Sequence, residues 1–289
     1  MTTIPGFTDH RVTLEDVEIA YSVGGDGPPV LLLHGYPQTR SLWRQIAPAL
    51  ARSHTVICPD LRGYGQSSKP KDVAAYSFRA MARDQTALLR HLGISSAAVI
   101  GHDRGARVTH RLALDAPEVV SRLALLDIIP THTLLADLRR EVAVAYYHWF
   151  FLAQPEPAPE TMILADPDRY YHSCLLGWGG ATLDDFDPEQ LEAYRTAWRD
   201  PETTRGMCND YRAAIRHDFD DDAADLDARI ACPVHILFGA DGTMARAYDV
   251  PATWAPKCTE MTAQAIPGGH FFPDTNPGDT RDALRRFLT

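Results

Sequence analysis

No apolar run in the 289-residue sequence approaches the ~18 residues that a membrane-spanning helix requires. The run around Pro29–Leu33 is the size of a strand. The opening residues, MTTIPGFTDH, lack both the basic start and the apolar stretch of a secretory signal. Cysteine is sparse, an odd five scattered residues (Cys58, Cys174, Cys208, Cys232, Cys258) with no C-x-x-C pair, so no disulfide framework is expected. A reducing cytoplasm is the expected compartment. Positive charge is short as well: Lys+Arg 28 against Asp+Glu 38 gives a net charge of -10, which argues against nucleic acid or an anionic membrane as partner. Twelve histidines contain no H-E-x-x-H, and no metal or other cofactor is expected. Asp218-x-Asp220-x-Asp222 begins like a calcium loop, but Ala223 replaces the turn glycine and Arg229 the bidentate glutamate. It reads as a solvated acidic connector.

What remains is ordinary globular composition, 45% hydrophobic and 23% charged, which excludes a disordered or collagen-like chain. Short β-branched runs alternate with helix-length amphipathic stretches in the first half, the pattern of a mostly parallel sheet with helices on its faces. Strands are expected at Val17–Ser22, Val30–Leu33, Thr55–Cys58, Ala97–Ile100 and Leu123–Leu126, and Ser77 is placed to cap a helix running to Leu92. From Thr131 to Ala224 the text turns helical, aromatic-rich and broken by proline. Strands resume at Val234–Gly239 and Met261–Ile266, and a helix from about Asp279 to Leu288 closes the chain. The expected organisation is an α/β core (1–130 and 225–289) with a helical cap (131–224) inserted between two strands.

Gly101-x-Asp103-x-Gly105 falls between an expected strand and an expected helix, the place of a nucleophile elbow. His34-Gly35 follows an earlier strand, where an oxyanion-binding amide would lie, and His270 follows the last strand behind Pro267-Gly268-Gly269. With these signals the chain resembles the α/β-hydrolase fold over nearly its whole length. The nucleophile position holds Asp rather than Ser. A carboxylate that attacks a saturated carbon leaves an ester, whose carbonyl water can then attack. The second step needs a base, His270, and donors for the oxyanion, for which the backbone N–H groups of Tyr36 and Arg104 are placed. Displacement at an sp3 carbon or epoxide opening is therefore expected, not ester cleavage. The inert alternative is that Asp103 merely caps the following helix.

Arg104 and Arg107 share a face at the start of that helix, where the partial positive charge of the helix end disfavours cations. Asp103 would offset one of them, and a bound carboxylate the other. His102-Asp103-Arg104-Gly105-Ala106-Arg107 resembles the elbow of the haloacetate dehalogenases, the group that includes fluoroacetate dehalogenase. The resemblance implies Asp103 as nucleophile, His270 as base, and Arg104 with Arg107 as a clamp for the substrate carboxylate. It implies a halide cradle from His148 and Trp149, in Tyr147-His148-Trp149-Phe150, and from Tyr211, in Cys208-Asn209-Asp210-Tyr211-Arg212. Trp178, in Leu176-Gly177-Trp178-Gly179, would line the pocket, and a homodimer is implied by the family alone. Since neighbours on a helix point ~100° apart, His148 and Trp149 can share a site only at that helix's edge or end. Tyr146 and Tyr147 read as core or rim.

For the acid, Asp127 matches the family's position, while Asp241 lies where many other α/β hydrolases keep theirs. The expected substrate is a small anionic organohalide. An epoxide hydrolase with the same nucleophile and a non-catalytic ligand-binding protein of this fold are the competing readings. Arg104 argues against the epoxide, which offers no carboxylate.

Overall fold

The computed structural model describes residues 3–289. Eight strands form one sheet: β1 (Thr8–Leu14), β2 (Val17–Gly24), β3 (Pro29–Leu33), β4 (Thr55–Pro59), β5 (Ala97–His102), β6 (Val120–Leu126), β7 (Val234–Gly239) and β8 (Met261–Ile266). Their spatial order is β1-β2-β4-β3-β5-β6-β7-β8. The β1–β2 and β2–β4 pairs are antiparallel, and every pair from β4 through β8 is parallel. This is an α/β-hydrolase sheet. The central strands are apolar on both faces, as parallel strands covered by helices must be. Leu31, Leu33, Ile57, Val99 and Leu125 join one hydrophobic cluster, while Val30, Leu32, Val56, Ile100 and Leu126 join another. The period-2 alternation of side chains thus builds a core on each side.

The helix Phe78–His91 starts where Ser77 accepts a hydrogen bond from the Ala80 amide, the expected cap. Between β6 and β7, residues 131–224 hold helices and no strand. Three of them carry residues used below: His148–Leu152, Pro188–Trp198 and Pro201–Ala213. No helix among the described residues is long and apolar enough to cross a membrane.

The acidic run at the end of this segment departs from expectation. Residues Ala214–Asp218 form a π-helical turn, and Phe219–Ala224 an α-helix. Asp218 is buried, and its Oδ1 accepts the Phe78 amide at 2.8 Å. Asp221 meets Arg79 at 2.9 Å and Asp225 meets Arg111 at 2.6 Å. The run is a set of contacts seating the helical segment on the sheet's helices, not a solvated connector.

Candidate active site

Strand β5 ends at His102, and the helix Arg104–Asp115 begins two residues later. Asp103 makes the turn at φ 48° and ψ −116°. A residue with a Cβ adopts such a backbone only where its surroundings hold it, at a cost of about 1–3 kcal/mol. Glycines on either side make the turn possible. A Cβ on Gly101 would come within 2.5 Å of the Gly105 carbonyl oxygen, and one on Gly105 within 2.3 Å of that of His34. The Asp103 side chain makes no capping bond to the helix, so the inert reading finds no support.

Asp103 Oδ1 accepts the Tyr36 amide at 2.8 Å, leaving Oδ2 3.6 Å from His270 Nε2. The Arg104 amide makes no hydrogen bond to this carboxylate, so of the two expected donors only Tyr36 is engaged. His270 Nδ1 lies 2.6 Å from Asp127 Oδ2, and Asp127 Oδ1 accepts the Gly239 amide at 2.8 Å. Asp127, at φ 54°, is also held in the left-handed region. Asp241 is exposed and accepts the Gly268 amide at 3.2 Å. It does not touch His270. The imidazole therefore stands between Asp103 and Asp127.

Burial disfavours the charged form of each group, yet the charges here sustain one another. Burial would lower His270, but the flanking carboxylates of Asp103 and Asp127 push it up to about 9. Burial would raise Asp103, but His270, His102 and Arg104 hold it well below the usual carboxylate range. Both shifts favour a carboxylate beside an imidazolium.

Arg104 and Arg107 are both buried. The counter-charge of Arg104 is Asp210, not Asp103: Nε donates to Asp210 Oδ2 at 2.9 Å and Nη2 to Oδ1 at 2.5 Å. Tyr64 donates its hydroxyl to the same carboxylate at 2.6 Å. Arg104 Nη1 is left buried and unpartnered. Arg107 donates Nη1 to the Ile129 carbonyl at 3.1 Å and to Thr131 Oγ1 at 2.9 Å, and its Nε is unpartnered. It meets no carboxylate among the described residues, and burial, with Arg104 nearby, pushes it down to about 10.

The helical segment lays aromatic side chains over these groups. His148 opens the helix His148–Leu152, so His148 and Trp149 do share a site at a helix end. Trp149 packs under both guanidinium groups, 4.9 Å from Arg104 and 4.8 Å from Arg107. The Tyr211 ring stands edge-on to Trp149, His148 and Tyr36, with centroids 5.2–5.3 Å apart. Its hydroxyl is buried without a partner, as is His148 Nδ1. Burial holds His148 well below its ordinary range, which favours the neutral imidazole. Trp178 spends its N–H on the Ala145 carbonyl at 2.8 Å and presents its ring 4.2 Å from His148 and 5.5 Å from His270.

One residue escaped the sequence reading. Asp210 is adjacent to Tyr211 in the chain, but its partner is more than a hundred positions away. Tyr146 is buried in the core, as read, and its ring packs 6.1 Å from His270 with its hydroxyl unpartnered. Tyr147 is half exposed, a rim position. Together these groups form an enclosed site with one paired and one unpaired arginine and several unsatisfied donors. It suits a small anion.

The family model for the alpha/beta hydrolase fold matches residues 28–277. A fluoroacetate dehalogenase from Burkholderia sp is 50% identical, covering 98% of this chain and 94% of its own. A soluble epoxide hydrolase from Corynebacterium sp. (strain C12) is 32% identical over 97% of each chain. A solved structure of a Nostoc sp PCC 7120 protein superposes with a TM-score of 0.96 at 45% identity, covering 98% of both chains.

Proposed function

Because the chain belongs to the haloacetate dehalogenase family of the α/β-hydrolase fold, we propose that it hydrolyses the carbon–halogen bond of a haloacetate, giving glycolate and halide. The observation that carries this reading is Arg107, a buried cation without a carboxylate partner among the described residues, beside a carboxylate on a nucleophile elbow. A substrate carboxylate completes that charge balance, and an epoxide does not.

The substrate carboxylate takes the free edges of Arg107 and Arg104. This sets the halogen-bearing carbon against Asp103 Oδ2, the oxygen that Tyr36 leaves free. Attack forms a C–O bond as the C–halogen bond breaks, and the halide departs toward Tyr211, Trp149 and His148. Fluoride is small, strongly hydrated and a poor leaving group, so several converging donors suit its departure. Esterification removes the Asp103 charge, which deprives the imidazolium of one of its two supports. His270 then loses its proton more readily and becomes the base that activates water. Water gives a proton to His270 and attacks the ester carbonyl while the Tyr36 amide, with that of Arg104 next along the chain, holds the oxyanion. The intermediate collapses by breaking the ester C–O bond, and the imidazolium returns the proton to the departing glycolate oxygen. Asp127 orients His270 and stabilises its cation. Residues 131–224 act as the cap that closes this site over the core of 1–130 and 225–289.

Fluoroacetate and chloroacetate, assayed for halide beside styrene oxide assayed for diol, test the reading. Halide release without diol is expected; diol without halide would assign the site to an epoxide.

A further inference from the structure

Behind the site lies a buried polar chain that the reaction scheme above does not use. It joins the helical segment to the loop after β3 and to the loop carrying His270. Asp274 Oδ1 accepts Gln190 Nε2 at 2.6 Å and the Tyr194 hydroxyl at 2.8 Å, both from the helix Pro188–Trp198. Its Oδ2 accepts Gln38 Nε2 at 2.6 Å. The other end of the Gln38 amide meets His102 Nδ1 at 3.1 Å and the Gly35 amide at 3.3 Å. His102 Nε2 meets the His270 carbonyl oxygen at 2.9 Å. All five side chains are buried.

The hydrogen count of this chain is constrained. A carbonyl oxygen only accepts, so His102 Nε2 carries a hydrogen. The Gly35 N–H only donates, so the Gln38 end that meets it is the amide oxygen, which also faces His102 Nδ1. The Gln38 nitrogen therefore donates to Asp274, whose two oxygens accept from Gln38, Gln190 and Tyr194.

We propose that Asp274, acting through Gln38 and His102, is a positioning residue for ester hydrolysis, holding the Gly35–Tyr36 amides and His270 in register with the seated helical segment. The proposal rests on the two-step reading above. The chain makes no hydrogen bond to the arginines or the halide donors, so alkylation keeps its clamp and cradle and loses only part of the aim that the Tyr36 N–H gives Asp103, whereas hydrolysis needs both the Tyr36 N–H and His270 in place.

The test is single-turnover kinetics with chloroacetate, following the ester on Asp103 by mass spectrometry in wild type, Asp274→Ala and Asp274→Asn. In Asp274→Ala, ester formation should stay within about three-fold of wild type while hydrolysis slows ten-fold or more, so that ester accumulates. Asparagine keeps an oxygen to accept from Gln38 Nε2, and Asp274→Asn should restore most of the hydrolysis rate. Tyr194→Phe, which removes one bond from the helical segment, should slow hydrolysis partially and serves if the alanine variant does not fold. Equal slowing of both steps, unchanged hydrolysis in the folded variants, or Asp274→Asn no better than alanine would overturn the proposal. A wild type that releases no halide from any haloacetate would instead overturn the two-step reading itself.

Discussion

Arg104 and Asp210 form a two-bond ion pair in which both side chains are wholly buried, Nε to Oδ2 at 2.9 Å and Nη2 to Oδ1 at 2.5 Å. Asp210 precedes Tyr211 in the helix Pro201–Ala213. One turn of that helix therefore orients the arginine at the elbow and presents a free hydroxyl above it.

Removing Asp210 leaves Arg104 charged and unpaired in the interior, an arrangement that costs about 3–5 kcal/mol. Asp210→Ala should lower the midpoint of thermal unfolding sharply, and Asp210→Asn by less. In the asparagine variant KM for haloacetates should rise, because Arg104 is no longer fixed by two bonds. Thermal melts and steady-state kinetics on both variants check this. A melting point unchanged in Asp210→Ala would mean that Arg104 finds another partner.

His270 owes its value of about 9 to two carboxylates. Asp103→Asn imitates the uncharged ester, and the imidazole should then titrate well below the wild-type value when followed by NMR. The sign of the stability effect follows. A folded value above the unfolded ~6.5 contributes stability that is fully present below pH ~6.5 and lost as pH rises through about 9. The stability deficit of Asp103→Asn from this source should therefore shrink above pH 9. Hydrolysis of the ester requires neutral His270, so on the acid side ester should accumulate on the wild-type enzyme.

Asp127→Asn should slow ester hydrolysis strongly, since His270 loses the partner 2.6 Å from Nδ1 that fixes its tautomer. Asp241→Asn should do much less, because its carboxylate bonds only the Gly268 amide and faces solvent. Rapid-quench measurement of ester decay in the two variants separates them.

The clamp and the cradle should differ in their dependence on the halogen. Arg107→Ala weakens substrate orientation whatever the leaving group, so kcat/KM for fluoro- and chloroacetate should fall by similar factors. Tyr211→Phe and Trp149→Phe should depress defluorination far more than dechlorination, since charge developing on fluoride needs those donors in the transition state. Loss of one donor should cost ~3 kcal/mol with fluoroacetate, on the scale of an oxyanion-hole deletion. Equal losses with both substrates would make the two residues shapers of the pocket only.

Much of this was legible in the sequence because it is written locally. The strands from β2 onward show as short runs rich in apolar residues, the elbow as glycines spaced about Asp103, and the Phe78–His91 helix as a serine cap before a periodic stripe. Strand β1 went unread because its sequence TDHRVTL is mostly exposed and polar, as an edge strand can be. Asp210, Asp218 and the Gln38–Asp274 chain were hidden for a different reason. An acid's role depends on which donor the fold delivers to it, and those donors come from positions remote in the chain. Thus Asp218 reads as one more charge in an acidic run until folding brings the Phe78 amide to it.

The central claim is that Asp103, not water, attacks the carbon. A single wild-type turnover of a haloacetate in ¹⁸O-water, with the product and the peptide containing Asp103 both weighed, tests it most directly. The account predicts glycolate whose new oxygen is unlabelled and an Asp103 carboxylate carrying the label. Label passing directly into glycolate, with Asp103 unlabelled, would contradict it.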